Sequence, residues 1–291
     1  RLGNAPRPLR LSYAGDVLRI KGTQLRPERQ FKQAGVELIG SNSTEAYTEI
    51  ILLGYEALKN VGAKNLSVDL ALPQLVPAIC KGLKIDDELS ALLRRALDGK
   101  NIAELSNIKG DIGNISRSLL EAAGPAPKCL DIINGLKLPE AAAEMCAELS
   151  KLVARLAEIA PDLMVTVDPG EYTGFEYQTG ISFSLFASGV RGELGRGGRY
   201  LVNGEHGEGE PATGFSLYLD SLMRALDGYE PQKKVFVPYG IGREDLSNLQ
   251  SQGYNTISGL EEYTDIAAEA KRMECDYYWS DGQINEITGG L

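Results

Sequence analysis

The sequence predicts an α+β protein: an antiparallel sheet flanked by helices, interrupted by a helical insertion and followed by a small α/β appendage. Three observations predict it. Strand-like alternation marks the first forty residues and returns after Leu163; between about Pro73 and Ile159 strand signals vanish and helical spacing takes over; beyond Asp227 strands and helices alternate as β-α-β-α-β. The expected boundaries are 1–82 for the first part of the core, 83–160 for the insertion, 161–228 for the second part of the core and 229–291 for the appendage. A chain of 291 residues that is 43% apolar can bury an ordinary core, which excludes disorder, collagen and small disulfide scaffolds.

Leu9–Tyr13 and Val17–Ile20 alternate like strands around a Gly-Asp turn, and Gln30–Gln33 leads into Val36–Ile39. An antiparallel hairpin with a long tip at Lys21–Arg29 is expected. Next, Tyr47, Ile50, Ile51, Leu58 and Val61 recur at helical spacing while Glu45, Glu49, Glu56 and Lys59 fall on other faces, so an amphipathic helix lies on the sheet, with Asn42 able to cap it. A strand at Leu66–Leu70 follows. Glu88–Leu97, Ile115–Ala122 and Pro139–Ile159 read as helices; the last carries Ala142, Met145, Cys146, Leu149, Leu152, Val153, Leu156 and Ile159 on one stripe. Strands return at Leu163–Val167 and Ile181–Phe186. A glycine-rich run then spans Gly189–Gly214 and a helix is expected from Phe215 to Leu226. Asp227–Pro231 reads as a linker to strands at Lys234–Pro238, Tyr254–Ser258 and Asp276–Trp279, separated by helices at Glu244–Gln252 and Tyr263–Met273.

Charge and composition exclude several functions. Forty acidic residues against thirty basic ones give a net charge of −10, which opposes a broad grip on nucleic acid. The charge is uneven: residues 1–40 carry eight Lys and Arg against Asp16, Glu28 and Glu37, a net +5, leaving −15 for the rest. No apolar run approaches the roughly 20 residues that span a bilayer, and no basic-then-apolar leader opens the sequence, so a cytoplasmic protein without a membrane partner is expected. Cys80, Cys129, Cys146 and Cys275 are too widely spaced for a zinc or redox pair and read as buried thiols. The single histidine, His206, excludes a catalytic triad with a second His and any two-His zinc motif; no metal or cofactor is expected. Gly207-Glu-Gly-Glu-Pro-Ala212 matches a dinucleotide fingerprint in letters only and reads as a loop, since no strand is expected to lead into it and Glu205, Glu208 and Glu210 would face the pyrophosphate. Gly240-Ile-Gly-Arg-Glu-Asp245 reads as an ordinary turn between strand and helix.

Three separated segments carry the strongest signal. They are Arg19 with Arg29-Gln-Phe-Lys-Gln-Ala-Gly-Val-Glu-Leu-Ile-Gly40, then Tyr172-Thr-Gly-Phe-Glu-Tyr-Gln-Thr-Gly-Ile-Ser-Phe183, then Arg196-Gly-Gly-Arg-Tyr200 with Pro211-Ala-Thr-Gly-Phe-Ser-Leu217. Together they resemble the histidyl-tRNA synthetase family and, more closely, its paralogues, the regulatory subunits of ATP phosphoribosyltransferase. Arg19, Gln33 and Glu37 keep the intervals of class II synthetase motif 2; the second segment is similar to the histidine-specific segment, and the third to Gly-Gly-Arg-Tyr and motif 3. The resemblance covers residues 1 to about 228 and implies a class II synthetase-like fold, with motif 1 expected upstream of Arg1.

The resemblance also implies roles. Arg19, Gln33, Glu37, Tyr177 and Gln178 become candidates for histidine binding: a carboxylate such as Glu37 can orient an imidazole, and Gln33 can bond the α-amino end. Gln178 replaces the second Tyr of the family pair. Thr173 and Arg199 become pocket supports. Thr173 stands where the family has an Arg, and Leu219-Asp220-Ser221 where a motif 3 Arg clamps phosphates. Losing two such donors removes several kcal/mol of transition-state stabilisation, on the order of 3 kcal/mol each, which argues against adenylation and against a divergent histidyl-tRNA synthetase, the alternative reading. The family implies a non-catalytic subunit that joins the short-form catalytic subunit in a hetero-octamer, self-associates as a dimer, and takes histidine as effector.

Overall fold

The computed structural model describes residues 5–18, 20, 29–172, 177–203, 209–226 and 232–287. They cluster into two compact units, Arg1–Asp227 and Gly228–Leu291.

The first unit is built on strands β1 (Leu9–Leu18), β2 (Gln30–Ile39), β3 (Leu66–Ala71), β4 (Gly124–Pro125), β5 (Met164–Asp168), β6 (Ser182–Ala187), β7 (Gly195–Asn203) and β8 (Gly209–Tyr218), in the order β1-β2-β8-β7-β6-β3-β5-β4. Every pairing is antiparallel except β3 with β5. Helix α1 (Thr44–Asn60) follows β2, and α2 (Leu75–Gly82), α3 (Asp87–Asp98), α4 (Ile102–Ser106), α5 (Gly110–Ala122), α6 (Ala126–Asn134) and α7 (Glu140–Ile159) fill the stretch between β3 and β5; α8 (Leu219–Ala225) follows β8.

Alternation along the strands gives the sheet two chemically different faces. Val68, Leu70, Phe183, Leu185, Phe215 and Leu217 point into one core together with Tyr47, Ile50, Ile51 and Leu58 of α1 and Cys146, Leu149 and Leu152 of α7. The other face is polar. Glu37 pairs in register with Gly214, Gly214 with Gly198 and Gly198 with Ser182, while the neighbouring row runs Tyr13, Gly35, Ser216, Arg196, Ser184, Asp69 and Thr166. Glycines along these rows admit side chains from neighbouring segments: Glu37 over Gly214, Tyr13 over Gly35 and Gln178 over Gly198.

Several expected elements shift. Gly15-Asp16 makes no turn: β1 runs straight through it, and Asp16 faces Lys32 across the hairpin with a 3.1 Å ion pair. Ile20 lies outside the strand, and most of the hairpin tip, residues 21–28, falls outside the described residues. Ser43, not Asn42, caps α1, because its extended backbone aims Oγ at the Ala46 N–H. Val61 is the C-cap of α1 and is half exposed. On α7, Ala142, Cys146, Leu149, Leu152 and Leu156 are buried as the stripe requires, but Ile159, at the fraying end, is exposed. The largest correction concerns the glycine-rich run, which forms most of β7 and β8; Phe215–Tyr218 are strand, and the helix begins only at Leu219. Glycine is depleted in strands generally, so it hides a strand whose cross-strand neighbours need the space instead.

The second unit carries strands β9 (Lys234–Val237), β10 (Asn255–Ser258), β11 (Tyr277–Ser280) and β12 (Gln283–Glu286) in the order β10-β9-β11-β12, with α9 (Arg243–Ser251) and α10 (Ile266–Arg272). The β-α-β-α-β alternation is as expected, with β12 added antiparallel to β11. Val235, Val237 and Leu249 form one small core; Phe236, Ala270 and Cys275 form another.

Candidate functional site

The polar face gathers Gln33 and Glu37 from β2, Tyr13 from β1, Ser216 from β8 and Tyr200 from β7. Tyr200 donates its hydroxyl to Glu37 Oε2 at 2.9 Å. Gln33 Nε2 donates to Tyr13 Oη at 3.0 Å and to Ser216 Oγ at 3.3 Å, and the Tyr13 and Ser216 hydroxyls share a 2.5 Å bond. Glycines make this arrangement possible. A Cβ at Gly214 would collide with the Glu37 carboxylate and with the Val36 carbonyl, and one at Gly35 would strike the Tyr13 ring.

Tyr177 and Gln178 enter from the segment before β6. The Tyr177 ring, 63% exposed, meets Tyr200 edge-to-face with centroids 6.0 Å apart. Gln178 is 1% exposed and donates from Nε2 to the Gly197 carbonyl at 3.1 Å. Its side chain fills the room that Gly198, at φ +153°, leaves empty. Gln33, Glu37, Tyr177 and Gln178 thus converge, whereas Arg19 and Thr173 lie outside the described residues, as do His206 and the start of the dinucleotide-like run.

Burial sets the electrostatics. It pushes the Glu37 carboxyl above its ordinary value, and the hydroxyl of Tyr200 holds it partly down. Tyr200 is in turn pushed well up, first by burial and then by the Glu37 carboxylate. The site is therefore rich in hydrogen-bond acceptors and holds a half-buried carboxylate, suited to a small ligand that brings N–H donors. Along the same face, burial and the neighbouring Asp69 and Asp168 raise Glu171 to about 7.

Arg199 occupies the opposite face of β7. It is 5% exposed, and its guanidinium donates to Thr213 Oγ1, to the carbonyls of Asn42 and Ser43 and to Glu148 Oε1, lying 3.8 Å over the Tyr47 ring. Its support is therefore exerted by tying β7 to the start of α1 and to α7. Asp220, at the motif 3 position, pairs with Arg224 on α8 at 3.5 Å. Cys80, Cys129, Cys146 and Cys275 are buried and free. Among the described residues no group of His, Cys, Asp and Glu is arranged to hold a metal ion, and no helix is long and apolar enough to cross a membrane.

Sequence reasoning gave no role to Tyr13, Ser216 or Tyr200. Tyr200 stood within the Gly-Gly-Arg-Tyr motif, and its signal was its alternation with Arg199, which sends the two side chains to opposite faces. Tyr13 and Ser216 become visible only through register, since both sit opposite Gly35.

Comparison with known proteins bears on the family and the fold. The family model described as histidyl-tRNA synthetase matches residues 1–222. An ATP phosphoribosyltransferase regulatory subunit from Rhodospirillum centenum is 45% identical over 99% of this chain and 74% of its own length. One from Paramagnetospirillum magneticum is 47% identical over 99% of this chain and 75% of its own length. Among solved structures, an ATP phosphoribosyltransferase regulatory subunit/histidyl-tRNA synthetase from Bacillus halodurans C superposes with a TM-score of 0.73 at 26% identity, covering 95% of this chain and 73% of that one. The fold is that of a class II synthetase core, and with this degree of identity over nearly its whole length the chain belongs to the histidyl-tRNA synthetase-like family of ATP phosphoribosyltransferase regulatory subunits.

Proposed function

We propose that this chain is the non-catalytic regulatory subunit that the short catalytic subunit of ATP phosphoribosyltransferase requires for activity, and that it conveys histidine feedback inhibition to the first step of histidine biosynthesis. The observation that carries the reading is the acceptor-rich cluster of Glu37, Tyr200 and Gln33, in a chain whose 45–47% identical relatives bear the regulatory-subunit name. Histidine offers the complementary groups: a ring N–H for Glu37 and an ammonium for the hydroxyl and amide oxygens beside it. Asp220 and Thr173, at positions where the synthetase pattern has arginines, support the absence of adenylation chemistry. The partner is the catalytic subunit, in a cytoplasmic hetero-octamer in which this chain also pairs with itself. Histidine acts by binding the inhibited arrangement more tightly than the active one, since a ligand shifts an equilibrium only by its differential affinity.

The test is to reconstitute this chain with its short catalytic subunit and titrate histidine. Activity is expected to appear only on mixing, and Glu37→Ala to raise the inhibitory histidine concentration at least about tenfold, the loss of one charged hydrogen bond. Inhibition unchanged by Glu37→Ala removes Glu37 from the mechanism, and histidine-dependent ATP–pyrophosphate exchange by the isolated chain overturns the non-catalytic reading.

A further inference from the structure

We infer that the site takes the histidine side chain as its imidazolium form, with Glu37 and Gln178 each accepting one ring N–H. The inference rests on the effector reading above and starts from Gln178. Its Oε1 is buried without a hydrogen-bond partner, although almost every buried polar atom of a folded protein has one. The amide orientation is fixed by its other end: Nε2 donates to the Gly197 carbonyl at 3.1 Å and lies 3.4 Å from the Tyr177 hydroxyl, and turning the amide over would set two oxygens against each other. The orphaned atom is therefore an acceptor.

Its place is defined by the two glycines. Gln178 Oε1 stands over Gly198 and Glu37 Oε2 over Gly214, each where a Cβ would otherwise be. Gly198 and Gly214 are register partners on β7 and β8, so these two Cβ positions are about 5 Å apart. Two acceptors thus stand over adjacent strands on one face of the sheet, with the Tyr177 and Tyr200 rings beside them. Tyr200 is the donor that serves Glu37, and it serves Oε2 alone.

A neutral imidazole carries one N–H and one bare nitrogen. With its N–H given to Glu37, the bare nitrogen would meet a second acceptor at Gln178, lone pair against lone pair. The doubly protonated ring satisfies both oxygens, places its positive charge against the Glu37 carboxylate, and lies beside aromatic rings that attract cations. The nearest titratable partner of this carboxylate is consistent with that charge: burial pushes the Tyr200 hydroxyl up, so it stays neutral near pH 7. Arg196, one row away, is paired with Glu193 at 2.7 Å, and Arg199 is on the opposite face, paired with Glu148.

Calorimetric titration of histidine onto the purified full chain, in buffers of different ionisation enthalpy between pH 6 and 8.5, tests this. Free imidazole has a pKa of about 6.5, so binding at pH 8 is expected to take up close to one proton, and the affinity to fall about tenfold per pH unit above about 7. The isosteric 1,2,4-triazole-3-alanine, whose ring stays unprotonated near neutral pH, is expected to bind at least about tenfold more weakly than histidine at pH 6.5. Gln178→Leu is expected to bind with proton uptake largely lost. Saturable histidine binding without proton uptake, and with the same affinity at pH 6.5 and 8, overturns the inference and leaves the effector reading standing. No histidine binding at any pH overturns the effector reading and the inference with it.

Discussion

Glu37 shows how a single residue is held in a state that costs the fold something. Its carboxyl is raised above the ordinary value because burial penalises the charge more than the Tyr200 hydroxyl relieves it. A folded-state pKa above the unfolded one means that the folded protein binds the proton more tightly. The associated stability is present below the unfolded value and is lost as pH rises through the folded one. Glu37→Gln is therefore expected to raise the melting temperature at pH 7, with the gain vanishing once the pH falls below the unfolded carboxyl's value, while histidine affinity drops. Thermal melts of the two proteins at pH 7 and pH 4 check the sign; a variant less stable than the parent at pH 7 would show that the carboxylate stabilises the fold after all.

Between residue and fold, the elements are tied together by Arg199. It reaches from β7 to two carbonyls at the entry of α1 and to Glu148 on α7, so one guanidinium fixes three elements beneath the strand that carries Tyr200 on its other side. Arg199→Met removes the cation but leaves the carbonyls and Thr213 buried without their donor. The expected cost is about 3 kcal/mol in urea unfolding, smaller than for a fully buried pair because Glu148 is partly exposed. A loss under about 1 kcal/mol would mean that water replaces the guanidinium and that α7 is held by its apolar stripe alone. Much of this level was legible in sequence: the α1 and α7 faces follow from their 3.6-residue period, and β3, β5, β6 and β9 from short apolar runs. The glycine-rich β7 and β8 were not, because the partner that justifies each glycine, Glu37 for Gly214 and Phe183 for Gly197, lies on another strand.

At the scale of the molecule, the two units differ in the depth of their cores. The first buries one continuous cluster that joins the sheet to α1–α7, while the second has two clusters of a few residues each. Small cores support little stability, so the second unit is expected to open first. The only tryptophan of the chain, Trp279, lies on β11 in that unit, whereas most helix lies in the first. Urea unfolding followed by tryptophan fluorescence should have its midpoint below that followed by helical circular dichroism; coincident curves would show one cooperative unit instead.

The sequence by itself determined the α+β class, the helical stretch between β3 and β5, the α/β character of the last sixty residues and the family. All of these rest on periodicity and on spacing within short segments, which local sterics and burial impose directly. It also singled out Gln33, Glu37, Tyr177 and Gln178. Only the tertiary structure decided that Tyr13, Tyr200 and Ser216 complete that site, that Arg199 works from the opposite face, and that Gln178 presents an acceptor in need of a donor. Those properties depend on strand register, and register is set by which side chains can share the space between strands far apart in the chain.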